Sequence, residues 1–364
     1  MKKVKFRNYE HLDPETVELY DDLSDENYYK SSKHYSRSTG ITSITDQDWE
    51  DFQPEVKKNK RYIDEWLRDI VKPNKSSQTY KQYKSCIRQF AFWNEKENDG
   101  ISFAKIKKRG FLRYQNYLLE TGMSKKTLEL KRNAVSSFCN FLEIYISEED
   151  DSYESFRNFV KGTEIPQGKE KIYEKLPVTA EEFDKVNDIL LKSKNYRLYA
   201  IWNCLFYTGK RITEVLQLKI DDVKEIPEGK SYILSGEVRS KGRGKAGKII
   251  SIRLNSKCLE ALKVYLDVRP KNDNPYIFFS GKEKHLNQDV VRNEFSTLIS
   301  TILGRRINPH LLRGSFATHL LNSGVSLTAV QQLLSHESVD TTSRYYDLRD
   351  KEQLIDEELN DLGL

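Results

Sequence analysis

A scattered set of side chains in the C-terminal half has the chemistry to handle a phosphate. Arg211 follows a Thr-Gly break in "TGKRITEVLQL", and Lys241 lies in the glycine-rich hairpin tip "RSKGRGKAGK". His310 and Arg313 stand three apart in "NPHLLRGSFATHLL", a spacing that puts them on one face of a helix. His336 opens the turn leading into "HESVDTTSRYYDL", which carries two adjacent tyrosines, Tyr345 and Tyr346. Two arginines offer planar, bidentate donors to phosphate oxygens. Two histidines can donate to those oxygens or exchange protons with them. A hairpin lysine can protonate a leaving oxygen as a general acid, and a tyrosine can attack and form a covalent intermediate. The set suits phosphoryl transfer in which fixed positive charges, not a metal, stabilise the pentacoordinate transition state.

Each member alone has a plainer explanation. His-x-x-Arg pairs are mostly caps or surface contacts, His336 alone reads as a turn residue, and two tyrosines on a helix read as core. The glycine-rich tip lacks the GxxxxGK[ST] spacing and strand-to-helix context of a Walker loop. A metal site built from His310, His319 and His336 would lack acidic or cysteine ligands at ligand spacing, so no metal or other cofactor is expected. Independent coincidences do not account for all the elements occurring in this order.

The elements that must position these groups are mainly helical. Residues 57–160 read as an all-helical unit of about four helices. In it Tyr80, Tyr83, Ile87, Phe90 and Ala91 form an apolar stripe, with Lys81, Lys84 and Arg88 off it. Ser124 is a plausible N-cap and Gly122 a plausible C-cap. Residues 161–178, with two prolines and two glycines, read as a linker. A capping box at Thr179 and Glu182 then opens residues 179–349, mostly α with a small antiparallel sheet. There "SYILSGEVRSKGRGKAGKIISIRL" reads as two strands around a basic turn. Residues 1–56 read as an acidic N-terminal extension, partly flexible or docked on a partner. No internal repeat is evident.

Composition narrows the partners. The chain has 364 residues and a formal net charge of +5, but the charge is uneven. Residues 1–56 carry 7 Lys/Arg against 13 Asp/Glu, and residues 347–364 carry 2 against 7, leaving +16 on residues 57–346. A basic body between acidic ends fits an anionic polymer. The four cysteines form no CxxC and read as reduced core residues. There is no apolar run of membrane-span length and no apolar signal segment, so a cytoplasmic protein without membrane contact is expected.

With these residues in place, the sequence resembles the tyrosine recombinase (phage integrase) family, which includes the Xer recombinases, Cre and transposon integrases. The family box TGxRxxE is matched by "TGKRITE" with Arg211 and Glu214, and its hairpin lysine by Lys241. The box HxLRHxFATHLL is matched by "HLLRGSFATHLL", and LGHxxxxTTxxY by "LSHESVDTTSRY". The resemblance spans about residues 60–350. Departures are Gly314 and Ser335, which stand where the family usually has His or Lys and Gly, and a slightly longer hairpin that leaves Lys245 as a rival to Lys241.

The resemblance implies a SAM-like core-binding domain followed by a mixed α/β catalytic domain. It also implies a nucleophile nine positions after His336, which is Tyr345; Tyr346 then becomes a packing residue. Tyr345 would form a 3′-phosphotyrosyl link and free a 5′-hydroxyl. Arg211 and Arg313 would clamp the phosphate, His310 and His336 would add hydrogen bonds, Lys241 would protonate the leaving oxygen, and Glu214 would support. Partners would be double-stranded DNA with inverted-repeat core sites and three further copies of the chain, exchanging strands through a Holliday junction. Residues 350–364, with Leu354, Ile355, Leu359 and Leu362, would form a C-terminal helix docked on a neighbouring protomer. Lys81, Lys84, Arg88, Lys125, Lys126 and Arg132 are the candidate DNA contacts. The expected function is site-specific recombination for a mobile element or Xer-type resolution. The alternatives are a type IB-like topoisomerase and a non-catalytic DNA-binding protein.

Overall fold

Serine hydroxyls start the two longest helices of the N-terminal half. Ser76 Oγ accepts the Thr79 N–H (3.1 Å) and Ser124 Oγ accepts that of Thr127 (3.4 Å), satisfying amides a helix leaves orphaned at its start. The computed structural model describes residues 44–165, 176–242, 247–281 and 284–335. They fall into two units, one on each side of the 166–175 segment.

The first unit comprises α1 (Asp46–Asp51), α2 (Lys57–Trp66, continued by one wide turn to Val71), α3 (Ser77–Glu97), α4 (Lys108–Glu120) and α5 (Lys125–Phe141, continued to Ile146). Its core is aromatic. Phe90 on α3 meets Tyr114 on α4 at 5.0 Å and Phe103 at 5.7 Å between ring centroids, separations at which ring quadrupoles attract.

The unit begins before position 57, where the sequence places the end of the extension. Trp49 on α1 is 3% exposed within the same core, and its indole N–H donates to Asp64 on α2 (2.9 Å). Arg88, expected on an exposed face, is instead 7% exposed. Its guanidinium lies 5.0 Å over the Trp49 ring and donates to Asp46 at 2.6 Å. Lys84 pairs with the same carboxylate at 2.7 Å. The physical reason is α1 itself, which covers that side of α3 and supplies the countercharge.

The second unit comprises α6 (Ala180–Lys192), α7 (Tyr196–Thr208), α8 (Ile212–Val215), strands β1 (Tyr232–Leu234), β2 (Val238–Ser240), β3 (Lys248–Ile250) and β4 (Arg253–Asn255), then α9 (Ser256–Val268), α10 (Gln288–Glu294, continued to Ile302), α11 (Pro309–Asn322) and α12 (Leu327–Leu334). The Thr179–Glu182 capping box is present. The unit starts before residue 179: Val178 is fully buried and its N–H donates to Ser315 Oγ (2.8 Å). The end of the expected linker is thus part of this core.

Helix α7 is the central packing element, in contact with α9 and α11, and its buried Trp202 stacks on Phe183 of α6 and meets the Phe295 ring. All four cysteines are free and buried; Cys204 on α7 and Cys258 on α9 approach to 3.2 Å between sulfurs. The two expected strands are each broken in two. β1 pairs antiparallel with β4 and β2 with β3. Between the ladders, Ser235 Oγ takes the Ile252 N–H and the Gly236 N–H turns away to Asp222. These side-chain acceptors divert the backbone from a continuous ladder.

Candidate active site

The site is built around a left-handed residue. Helix α7 ends at Thr208, and Gly209 takes φ +60°. A Cβ there would lie 2.3 Å from the Phe316 ring of α11, so glycine is required by both conformation and space. The reversal sends Arg211 into the start of α8. Its backbone N–H donates to Glu214 Oε2 (2.8 Å), while its guanidinium donates to Glu214 Oε1 (3.0 Å) and Ser240 Oγ (3.3 Å). Ser240 Oγ also donates to Glu214.

Glu214 is fully buried. Burial alone would raise its pKa, but the hydrogen bonds from Ser240 and Arg211 outweigh this and hold it below the ordinary value. The carboxylate therefore joins the start of α8 to the end of β2. Lys241 follows Ser240 directly and is exposed. Opposite it, Gly247 has φ +70°, and a Cβ there would lie 2.5 Å from the Ser240 carbonyl. Lys245 lies outside the described residues.

Arg313 comes to the same place from α11. It is 1% exposed and donates to the Gly209 carbonyl (2.9 Å) and, from its other amino group, to the Leu334 carbonyl (2.7 Å). His310 lies one turn earlier, exposed in the first turn of α11 after the Asn308 cap. Helix α12 ends at Leu334, and Ser335 takes φ +56° immediately before His336. His336, Tyr345, Tyr346 and residues 350–364 lie outside the described residues. Arg211 and Glu214 are thus in direct contact, Arg313 joins them through the Gly209 carbonyl, and Lys241 is attached through Ser240.

Sequence reasoning passed over Lys210. It is 5% exposed, and its ammonium donates to the Leu333 carbonyl (2.7 Å) and Ser335 Oγ (3.1 Å). Burial, reinforced by Arg313, Arg253 and Arg211 against the opposing Glu214, pushes its pKa down to about 8. The available signal was a lysine next to the site arginine, in a position the family box leaves variable.

In the helical unit the candidate contacts separate. Lys81 and Lys126 are exposed, and Lys125 is half-buried. Arg132 is turned inward and caps the Val160 and Thr163 carbonyls, and Arg88 is buried as described. Lys81 lines a groove between α3 and α5 with Gln82, Gln89 and Lys131. Lys131, whose pKa burial lowers, donates to Gln89. Its spacing from Leu128 and Val135 places it on the buried face of α5, so it meets the groove from the core side. His319, considered for a metal, contacts the Val178 carbonyl through Nε2 (2.8 Å). Among the described residues no group of His, Cys, Asp and Glu could hold a metal ion, and no helix is long and apolar enough to cross a membrane.

Comparison with known proteins agrees with this division. Residues 177–352 match the model of the phage integrase family, and residues 62–143 that of the phage integrase N-terminal SAM-like domain. The SPbeta prophage-derived recombinase-like protein YomM of Bacillus subtilis (strain 168) is 36% identical over 325 residues, covering 87% of this chain and 95% of that protein. The TnP I resolvase of Bacillus thuringiensis is 30% identical over 281 residues, covering 76% and 91%. In fold, the Tn1549 transposon integrase in complex with transposon right end DNA aligns with TM-score 0.61 at 16% identity, over 84% of this chain and 99% of that one. The XerH site-specific recombinase bound to palindromic difH aligns with TM-score 0.59 at 21% identity, over 93% and 96%. Fold and relatives together define a tyrosine recombinase, an enzyme of DNA strand breakage and rejoining. The chain belongs to the phage integrase family.

Proposed function

We propose that this enzyme is a site-specific recombinase that cuts and rejoins double-stranded DNA through Tyr345. Tyr345 Oη attacks the scissile phosphorus and releases its proton to solvent. The bond to the 5′-oxygen breaks, leaving a 3′-phosphotyrosyl ester, and Lys241 delivers a proton to that oxygen. Arg211 and Arg313 neutralise charge on the non-bridging oxygens, with His310 and His336 as further donors. The ester keeps the energy of the broken bond, so a 5′-hydroxyl from a second strand reverses the step without ATP or a metal.

The observation that carries the reading is the convergence of the start of α8, the end of β2 and α11. Arg211 is oriented by an ionised, buried Glu214, Lys241 is one residue from Ser240 on the same carboxylate, and Arg313 is tied to the Gly209 carbonyl. In the wider reading, four protomers hold two inverted-repeat core sites and pass through a Holliday junction in the cytoplasm, joined by residues 350–364. The relatives named as a prophage recombinase and a resolvase favour a mobile element as the setting.

The test is a nicked suicide DNA, incubated with the protein in EDTA. Wild type and Tyr346→Phe form a covalent adduct; Tyr345→Phe forms none. Adduct from Tyr345→Phe but not Tyr346→Phe moves the nucleophile by one position. Absence of any adduct with the wild type leaves a DNA-binding protein, and sequence-independent relaxation of supercoils leaves a topoisomerase.

A further inference from the structure

We propose that Lys210 is a positioning residue which, with Ser335, locks the C-terminal end of α12 and so sets where His336 and the chain running to Tyr345 begin.

A helix leaves its last carbonyls without intrahelical partners, and a glycine in the left-handed conformation is the usual way to finish such an end. Here Ser335 holds that conformation at φ +56°, where its Cβ is strained. The carbonyls are taken by side chains from elsewhere in the fold. Lys210 takes Leu333 and Arg313 takes Leu334. The Lys210 ammonium also reaches Ser335 Oγ, an atom that glycine lacks. The serine that strains the turn thus supplies a further acceptor to the lysine that fixes it.

Keeping an ammonium at 5% exposure is costly. Apolar packing alone would be better served by methionine or leucine. The charge sits next to Arg211 in sequence and faces Arg211, Arg313, Arg253 and Glu214. Adjacent residues therefore serve two ends of one reaction. Arg211 addresses the phosphate, and Lys210 holds the segment from which the nucleophile arrives. The inference rests on the recombinase reading only for its catalytic consequence; the lock on α12 is a property of the protein without DNA.

The test compares wild type, Lys210→Met, Lys210→Arg and Lys210→Met/Ser335→Gly. Amide hydrogen exchange without DNA reads the lock. In Lys210→Met the last amides of α12 exchange roughly tenfold faster, as loss of a charged hydrogen bond implies. Single-turnover cleavage of the suicide DNA at saturating protein falls about tenfold or more, while the Kd for DNA moves less than about threefold. Lys210→Arg keeps a charged donor and recovers most of the rate. Adding Ser335→Gly to Lys210→Met recovers part, because glycine takes the turn without strain. As pH rises through about 8, the wild-type rate drops relative to Lys210→Arg, whose charge does not titrate.

Unchanged exchange at the end of α12 overturns the proposal, as does a Lys210→Met defect confined to DNA affinity. Should Lys210→Met fail to fold, Lys210→Gln carries the same comparison: unchanged exchange and cleavage overturn the proposal, and the expected losses support it. A wild-type protein that traps no adduct removes the recombinase reading, while the exchange measurement still decides the lock.

Discussion

Glu214 keeps its charge with no exposed surface because donors surround it: the Ser240 hydroxyl, the Arg211 backbone amide and the Arg211 guanidinium. Glu214→Gln would turn an NH₂ group toward one of these donors. The expected cost is about 3 kcal/mol, the scale of breaking a buried ion pair from one side. The carboxyl is held below its ordinary value, so its stabilisation is full above the unfolded glutamate pKa of about 4.3 and is lost as pH falls through the folded value. The stability gap between wild type and Glu214→Gln should therefore narrow in acid, as denaturant midpoints at neutral and acidic pH would record. A gap independent of pH would mean that the carboxylate's charge contributes nothing. Arg211, Glu214 and Arg313 were legible in the sequence because each sits inside a long ordered motif. Ser240 and Lys210 were not, since their partners lie 26 and 125 positions away along the chain.

Among the elements, α1 is the piece that the sequence pattern placed on the wrong side of a boundary. Six residues have too little periodicity to announce a helix, and acidic surroundings suggested an extension. What makes α1 part of the unit is one indole: Trp49 is packed against Phe52 and Phe92, bonded to Asp64 and covered by Arg88. Trp49→Ala should cost about 3–5 kcal/mol. In calorimetry it should lower the transition of the helical unit and leave that of the second unit in place, since the two have separate cores. An unchanged helical transition would return α1 to the status of an appendage. Helix starts were readable at Ser124 and Thr179, which advertise capping chemistry locally. The break in the hairpin was not, because it depends on Asp222 reaching Gly236 from outside the strands.

At the scale of the whole molecule, formal charge is a poor guide to the charge a polyanion meets. The +16 on residues 57–346 includes cations already spent inside the protein, such as Lys84 and Arg88, which share Asp46. Arg132 is likewise committed to the Val160 and Thr163 carbonyls. Lys81 and Lys126 remain exposed. Counterion release separates the two groups, because each true phosphate contact adds about 0.9 to the slope of log K against log salt concentration. If Lys81 and Lys126 each meet a phosphate, Lys81→Gln and Lys126→Gln should each flatten that slope by about this amount with little change in Tm. Arg88→Met should do the reverse, lowering the Tm of the helical unit by exposing Asp46 and Trp49 to a lost partner while the slope stays as in wild type. A salt titration of DNA binding alongside thermal unfolding of the three variants distinguishes the roles. A flattened slope in Arg88→Met would mean that α1 leaves α3 when DNA binds and that the buried arginine becomes a contact.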